Sequence, residues 1–338
     1  MADYSTTVHP QAVAAFLVRC SNTHRRFFYP CNAKHRPPKR QVYCLRSSTA
    51  PEAVRFTVEE CDYAEGGTGW RVWPCALLLA CWLANHVRTL VQPDASVLEL
   101  GCGLGLPGLA AAALGYRNIV LTDCLPELLA TVERSIRVNP ASSTLRVELC
   151  DWDHEAHAPE GEDYSTEQGV KQEQLKRLGA TMSTRRLSRG ERFALLLASD
   201  VIYSHTHAVQ LPAVLARHAA PAARLCAMVP VRDQEHTRTF LRGLLHSRAE
   251  VRTATVTPRW VEAVVAVQQG KAPVQSMRAT APFCADDAIK EGSILFVEAT
   301  FPIDPSVSIL EPPPSLRSEP AAADPCIDDD DEGFLVVN

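Results

Sequence analysis

The 338-residue chain lacks a hydrophobic run long enough to cross a bilayer; the longest, roughly Pro74 to Ala84, is about half of one span. Met1 to Pro10 is polar and carries no secretory-signal pattern. Cysteine, at 12 residues, is too sparse for a disulfide scaffold. Cys75, Cys81, Cys102 and Cys226 lie inside apolar runs, where a thiol behaves as a small buried hydrophobe. No internal repeat is visible, and 46% hydrophobic against 22% charged residues excludes wholesale disorder, collagen and coiled coil. The expectation is a soluble, monomeric protein of a reducing compartment, cytoplasm or nucleus, with no membrane partner.

Acid is missing from one end and concentrated at the other. Between Tyr4 and Pro51 there is no Asp or Glu, while Arg19, Arg25, Arg26, Lys34, Arg36, Lys39, Arg40 and Arg46 are all basic. From Arg317 to Asn338 the acids Glu319, Asp324, Asp328 to Asp331 and Glu332 face a single base. The net charge of −5 is thus a sum over unlike parts: a basic arm, a mildly acidic body and an acidic tail. Such a body argues against a dedicated nucleic-acid binder and suits a lysine-bearing protein. Cys20-x-x-x-His24 and Cys31-x-x-x-His35 match no standard zinc-finger spacing, so no metal is assigned.

Between the ends, strand-like and helix-like segments alternate. Ala53–Asp62 reads as a strand, and Pro74 opens an apolar helix, Cys75 to about Leu90. Further strands are expected at Val97–Leu100, Asn118–Thr122, Leu145–Leu149, Phe193–Ala198, Arg224–Val229, Glu250–Val256 and Ile294–Phe301. Helices are expected at Leu106–Leu114, Pro126–Val138, His207–Ala219 and Gln234–Leu245. The alternation predicts an α/β class: a Rossmann-like, doubly wound, seven-stranded, mostly parallel sheet with helices on both faces. The expected organisation is a basic N-terminal extension (1–52), one body (53–302) with polar insertions at about 154–192 and 257–292, and a Pro-rich, acidic, disordered tail (303–338).

The chemical signal is Val97-Leu98-Glu99-Leu100-Gly101-Cys102-Gly103-Leu104-Gly105, set between a strand and a helix. Glycines let backbone approach a ligand, and the following helix N-terminus offers free N–H groups. Asp123, twenty residues after Gly103 and at the end of the second strand, is placed to accept ribose hydroxyls. Gly103-x-Gly105-x-x-Gly108 formally fits the dinucleotide fingerprint, so NAD is an alternative. Glu99 weighs against it: a carboxylate there faces a pyrophosphate badly but suits the ammonium and sulfonium of S-adenosylmethionine. Asp151-Trp152 after the third strand offers a carboxylate for an adenine amino group and an indole for its ring face. After the fourth strand, Ser199-Asp200-Val201-Ile202-Tyr203 emerges at the same edge as a candidate acceptor site. His205 and His207 follow and are expected to face solvent.

Together these elements resemble the class I, seven-β-strand S-adenosylmethionine-dependent methyltransferases, and more narrowly methyltransferase family 16, which modifies lysines of non-histone proteins. The resemblance runs from about Ala53 to Phe301 and includes Gly69-Trp70-Arg71-Val72-Trp73-Pro74 ahead of the first large helix and the Asp200-x-x-Tyr203 mark. It implies that Trp73 and Trp152 contact the cofactor, that Glu99, Gly101, Cys102, Gly103 and Gly105 hold its methionine and adenosine, and that Asp123 holds the ribose. Ser199 would lie near the methyl donor, with Asp200 and Tyr203 shaping the acceptor channel as the catalytic pair. The implied activity is direct in-line protein-lysine N-methylation without metal or covalent intermediate. The alternatives are another acceptor (protein arginine or histidine, or a small molecule) and a non-catalytic binding module of the same fold.

Overall fold

The computed structural model describes residues 6–8, 40–47, 53–140, 145–157, 185–268, 271–273, 283–284, 289 and 291–303. The Cys20/His24 and Cys31/His35 pairs, residues 158–184 of the first insertion and the acidic tail lie outside them. In chain order the elements are β1 Thr6–Val8, β2 Arg40–Leu45, β3 Val54–Glu59, α1 Tyr63–Gly66, α2 Pro74–Leu90, β4 Val97–Leu100, α3 Leu106–Ala113, β5 Ile119–Asp123, α4 Pro126–Arg137, β6 Leu145–Leu149 and α5 Trp152–His157. They continue as β7 Phe193–Ser199, α6 His205–His218, β8 Ala219–Pro230, α7 Gln234–His246, β9 Glu250–Val256, α8 Pro258–Gln268, β10 Phe283–Cys284 and β11 Ile294–Thr300.

One sheet runs in the order β10-β9-β11-β8-β7-β4-β5-β6. Strands β4 to β8 pair in parallel, and β11 is antiparallel to both β8 and β9. Seven of these are the expected strands; β10 is a two-residue edge piece antiparallel to β9. The chain winds outward from β4 through β5 to β6 and then returns to β7 beside β4. That reversal opens a crevice at the carboxyl ends of β4 and β7. Strand β7 lies between two layers, with Leu195 and Leu197 in one core and Phe193, Leu196 and Ala198 in the other, which explains its unbroken apolar sequence. The first core includes residues of α2, α3, α4 and α8; the second includes residues of α6 and α7. Among the described residues no helix is long and apolar enough to cross a membrane.

The hairpin β2–β3 crosses the boundary expected at 52/53. β2 pairs antiparallel with β3 from Arg40–Glu59 to Leu45–Val54, burying Tyr43, Cys44 and Leu45. The other edge of β3 is bonded by α4 and the residues after it: Asn139 Oδ1 accepts from Thr57 N–H (2.8 Å), Asn139 Nδ2 donates to Thr57 C=O (2.8 Å), and Ser135 Oγ accepts from Glu59 N–H (2.8 Å). A short apolar strand embedded in basic sequence shows its inward face only once these partners are present.

The two insertions are partly built into the body. Residues leaving β6 form α5, and the chain returns at Arg185–Leu187, where Leu149 N–H donates to Arg185 C=O (2.8 Å) and Leu187 N–H to Leu149 C=O (3.0 Å). Arg146 and Arg185 both pair with the buried Glu148 carboxylate, at 2.9 and 3.0 Å. In the second insertion, Thr257 caps α8 by accepting the Trp260 N–H (3.1 Å), and Pro258 occupies its first turn. Trp260, Val261, Val264 and Val267 are buried, the one-face spacing of an amphipathic helix. Trp260 is fully buried, so Trp260→Ala is expected to cost about 3–5 kcal/mol of stability in a denaturant titration. A helix loosely attached to the body would lose far less.

Candidate functional site

The crevice begins at the turn from β4 into α3. Gly101, Gly103 and Gly105 have φ of +61°, +53° and +72°, the left-handed region that side chains disfavour. A Cβ on Gly103 would stand in ordinary van der Waals contact with Gly69, 3.7 Å from its carbonyl oxygen and 3.9 Å from its Cα, so the two glycine backbones lie close together. Gly108, in the first turn of α3, is required for closeness instead: a Cβ would lie 2.1 Å from Leu121 Cδ2 and 2.8 Å from Glu99 Oε2. Cys102 is buried, its N–H donating to Thr122 C=O (2.8 Å), and burial raises its thiol pKa well above the ordinary value.

Glu99 lies beneath this loop, 1% exposed. Its Oε2 accepts the Gly108 N–H at 2.8 Å, while the buried Oε1 has no protein hydrogen-bond partner. Burial pushes the carboxyl up to about 8, against the lowering effect of the Gly108 bond. Asp123 closes the other side of the loop: Oδ2 accepts from Gly103 N–H (3.1 Å), and Oδ1 from Cys124 N–H (2.8 Å) and Leu125 N–H (3.3 Å). Burial raises its pKa and those backbone bonds oppose the rise.

Asp151 is exposed, with Oδ1 accepting the Asp153 N–H (3.1 Å); its charge and that of Asp123 both act on the Cys124 thiol between them. Trp152 lies with its six-membered ring over Gly101, 3.0 Å from where a Cβ would stand, and meets His207 edge-on at 5.5 Å. Gln210 of α6 donates to Asp153 Oδ1 (2.7 Å), tying α5 to α6.

The acceptor candidates follow β7. Ser199 is buried at the strand's end, paired in register with Met228. Asp200 has φ +59° and donates its N–H to Met228 C=O (3.0 Å), a left-handed corner that turns the chain out of the sheet. Its carboxylate forms an ion pair with Arg232 at 2.6 Å; burial raises the Asp200 pKa and Arg232 lowers it. Tyr203 is 50% exposed, bonds the Thr68 side chain, and meets the His207 ring edge-on at 4.4 Å. Trp73 donates Nε1–H to the Thr68 carbonyl (2.7 Å), with the Arg232 guanidinium 6.0 Å from its ring centre.

Two linked groups emerge. Glu99, Gly101, Cys102, Gly103, Gly105, Asp123, Asp151 and Trp152 surround the glycine turn; Trp73, Asp200 and Tyr203 surround Thr68 and Arg232, with Ser199 adjoining Asp200. His207, expected to face solvent, instead bridges Trp152 and Tyr203. Arg232 and Thr68 were not among the sequence candidates. Arg232 carries the signal that picked out Asp123 and Asp200, a charged residue just beyond a strand's carboxyl end; Thr68 contributes through its place in a glycine-rich turn.

The first group fits S-adenosylmethionine. An orphaned, buried carboxyl oxygen, a turn of left-handed glycines and an anchored acid at the end of β5 offer a polar acceptor for the ammonium of an amino acid and an acceptor for the hydroxyls of a ribose. The Glu99 carboxyl keeps its proton in the folded state between the unfolded value, 4.5, and about 8, while the unfolded chain has lost it. Unfolding then releases a proton, so stability of the unliganded protein falls as pH rises through that window. Glu99→Gln is expected to flatten the decline, by a few kcal/mol across the window, in denaturant titrations at stepped pH.

Comparison with known proteins places residues 55–167 in a match to the lysine methyltransferase family model. Protein-lysine methyltransferase METTL21E of Mus musculus is 29% identical over 156 residues, which is 46% of this chain and 54% of that protein. Histone-arginine methyltransferase METTL23 of Xenopus laevis is 36% identical over 102 residues, 29% of this chain and 40% of that protein. Protein-lysine N-methyltransferase EEF2KMT of Mus musculus is 31% identical over 124 residues, 32% of this chain and 36% of that protein. The chain spans about half the length of the first of these relatives and less of the other two.

Proposed function

We propose that this chain, whose residues 55–167 match the lysine methyltransferase family model, is an S-adenosylmethionine-dependent enzyme that methylates the side-chain nitrogen of a lysine in a non-histone protein. The observation that carries this reading is Asp200, a carboxylate with a 6% exposed side chain that follows β7, pairs with Arg232 and acts on the Tyr203 hydroxyl. A buried carboxylate beside an aromatic ring can accept a hydrogen bond from the nitrogen of a basic side chain and so orient it.

When bound, S-adenosylmethionine supplies a methyl group on a sulfonium, open to in-line displacement by a neutral amine. The protein's part is to hold, orient and dry. Glu99 Oε1 and the glycine-turn backbone would hold the amino-acid end, and Asp123 the ribose. Trp152, His207 and Tyr203 form a continuous aromatic edge from that end toward Asp200, which orients the incoming nitrogen. A lysine arrives with a reference pKa of about 10.4, so a desolvating wall that disfavours its ammonium raises the reactive fraction. Alignment at about 3 Å then supplies much of the acceleration.

The relatives named above divide between protein lysine and histone arginine, and share a basic side chain as acceptor. An arginine acceptor is the second reading, favoured by the 36% identity to METTL23.

The test is incubation of the full chain with labelled S-adenosylmethionine and a cell extract, with mass spectrometry of the labelled band. A methylated lysine is expected; methylation confined to arginine would replace the first reading with the second. Asp200→Asn is expected to keep its thermal shift with S-adenosylhomocysteine and to lose about 10²-fold or more of the transfer rate. Gly103→Arg is expected to abolish the thermal shift itself, because the left-handed backbone at Gly103 (φ +53°) disfavours any side chain and a long one there would crowd Gly69 and the turn.

A further inference from the structure

Arg232 lies just past the end of β8 and is held from several sides. Val231 N–H donates to Ser293 C=O (2.8 Å), Gly292 N–H donates to Val231 C=O (2.9 Å), and Arg232 N–H donates to Pro230 C=O (3.0 Å). One residue later, Asp233 caps α7 by accepting the His236 N–H (2.8 Å). This fixed backbone delivers the guanidinium to Asp200 at 2.6 Å and toward Trp73 at 6.0 Å. The Asp200 side chain is 6% exposed and that of Arg232 is 36% exposed, so a buried carboxylate is covered by a partly exposed cation.

We propose that Arg232 is a specificity-determining residue that occupies the carboxylate meant for the acceptor, so that Asp200 orients an incoming nitrogen without favouring it as a cation. The assignment rests on Asp200 being the acceptor group. A bare buried carboxylate would bind a lysine ammonium tightly and hold its proton on, leaving no lone pair to attack. With Arg232 in place the local charge of the pair is zero, and a second cation gains little from Asp200 while meeting repulsion from the guanidinium. Binding of the charged form weakens, and the neutral amine is the form the site receives best. Arg232, from the end of β8, and Tyr203, from its own loop, are charged or titratable groups that act on Asp200.

The probe is n-butylammonium, the lysine side chain without its backbone, titrated by ligand-observed NMR into the full chain saturated with S-adenosylhomocysteine at pH 7. Arg232→Met is expected to bind the probe about tenfold more tightly than wild type, and Arg232→Lys, which keeps the charge, to stay near wild type. The double variant Arg232→Met/Asp200→Asn should lose the gain, which locates it at the carboxylate. In the labelled-extract assay Arg232→Met should transfer more slowly near pH 7 and recover as pH rises toward 9, where the acceptor sheds its proton unaided. Unchanged probe affinity in Arg232→Met overturns the assignment, as does a gain that survives in the double variant. Should Arg232→Met fail to fold, Arg232→Gln serves in its place with the same expectations. If no variant, wild type included, labels any protein while the titrations behave as stated, the protein-methylation reading falls and the role of Arg232 stands. If labelling is intact but the titrations do not move, only the Arg232 assignment falls.

Discussion

The hydrogen bond from Gly108 N–H to the buried Glu99 carboxyl is the constraint around which the crevice is arranged. It joins the end of β4 to the first turn of α3 beneath the loop between them, tying strand and helix together across the turn. Three left-handed glycines can then follow in five residues without leaving the backbone loose. Asp123 supports the same turn from β5 through Gly103 N–H, which places a second carboxylate at a fixed distance from the first. The cost is a carboxyl out of water with one oxygen unpartnered, a configuration that makes sense where a cationic ligand completes the set.

Electrostatically, the site has two unlike halves. Around the glycine turn the groups are acidic and stripped of water, with Glu99, Asp123 and the Cys102 thiol all displaced upward by burial. Around Asp200 the acid is matched by Arg232 and bordered by aromatic edges. One half is a cluster of buried acids; in the other the acid is paired with a base. His207, seated between Trp152 and Tyr203, joins the two halves physically.

Much of this was legible in the sequence because it is local. The seven strands, the glycine turn, Asp123 and Asp200 all depend on short-range patterns: apolar runs, a turn rich in glycine, an acid just past a strand. What was not legible depends on pairing across the chain. Tyr43-Cys44-Leu45 looks like part of a basic arm until β3, nine or more residues away, supplies its partner. Trp260, Val261, Val264 and Val267 have helical spacing, yet lie in a stretch whose neighbours are polar enough to resemble a linker. Arg232 acquires meaning only because β8 stands beside β7, bringing residues about thirty positions apart into an ion pair. Glu99 stands out in the sequence by its place two residues before the first glycine, but its bond to Gly108 becomes visible only once the turn is folded.

The antiparallel strand β11 has a consequence for how the chain is made. It lies between β8 and β9, which precede it by tens of residues and do not pair with each other. During synthesis the half of the sheet from β6 to β8 can close as its strands emerge, whereas β8 must wait with one open edge until Ile294–Thr300 leaves the ribosome. Until then that edge, with Cys226, Met228 and Val229 along it, is a template for any passing strand. A chain that ends between β9 and β11 would therefore leave the apolar edge of β8 without its antiparallel partner.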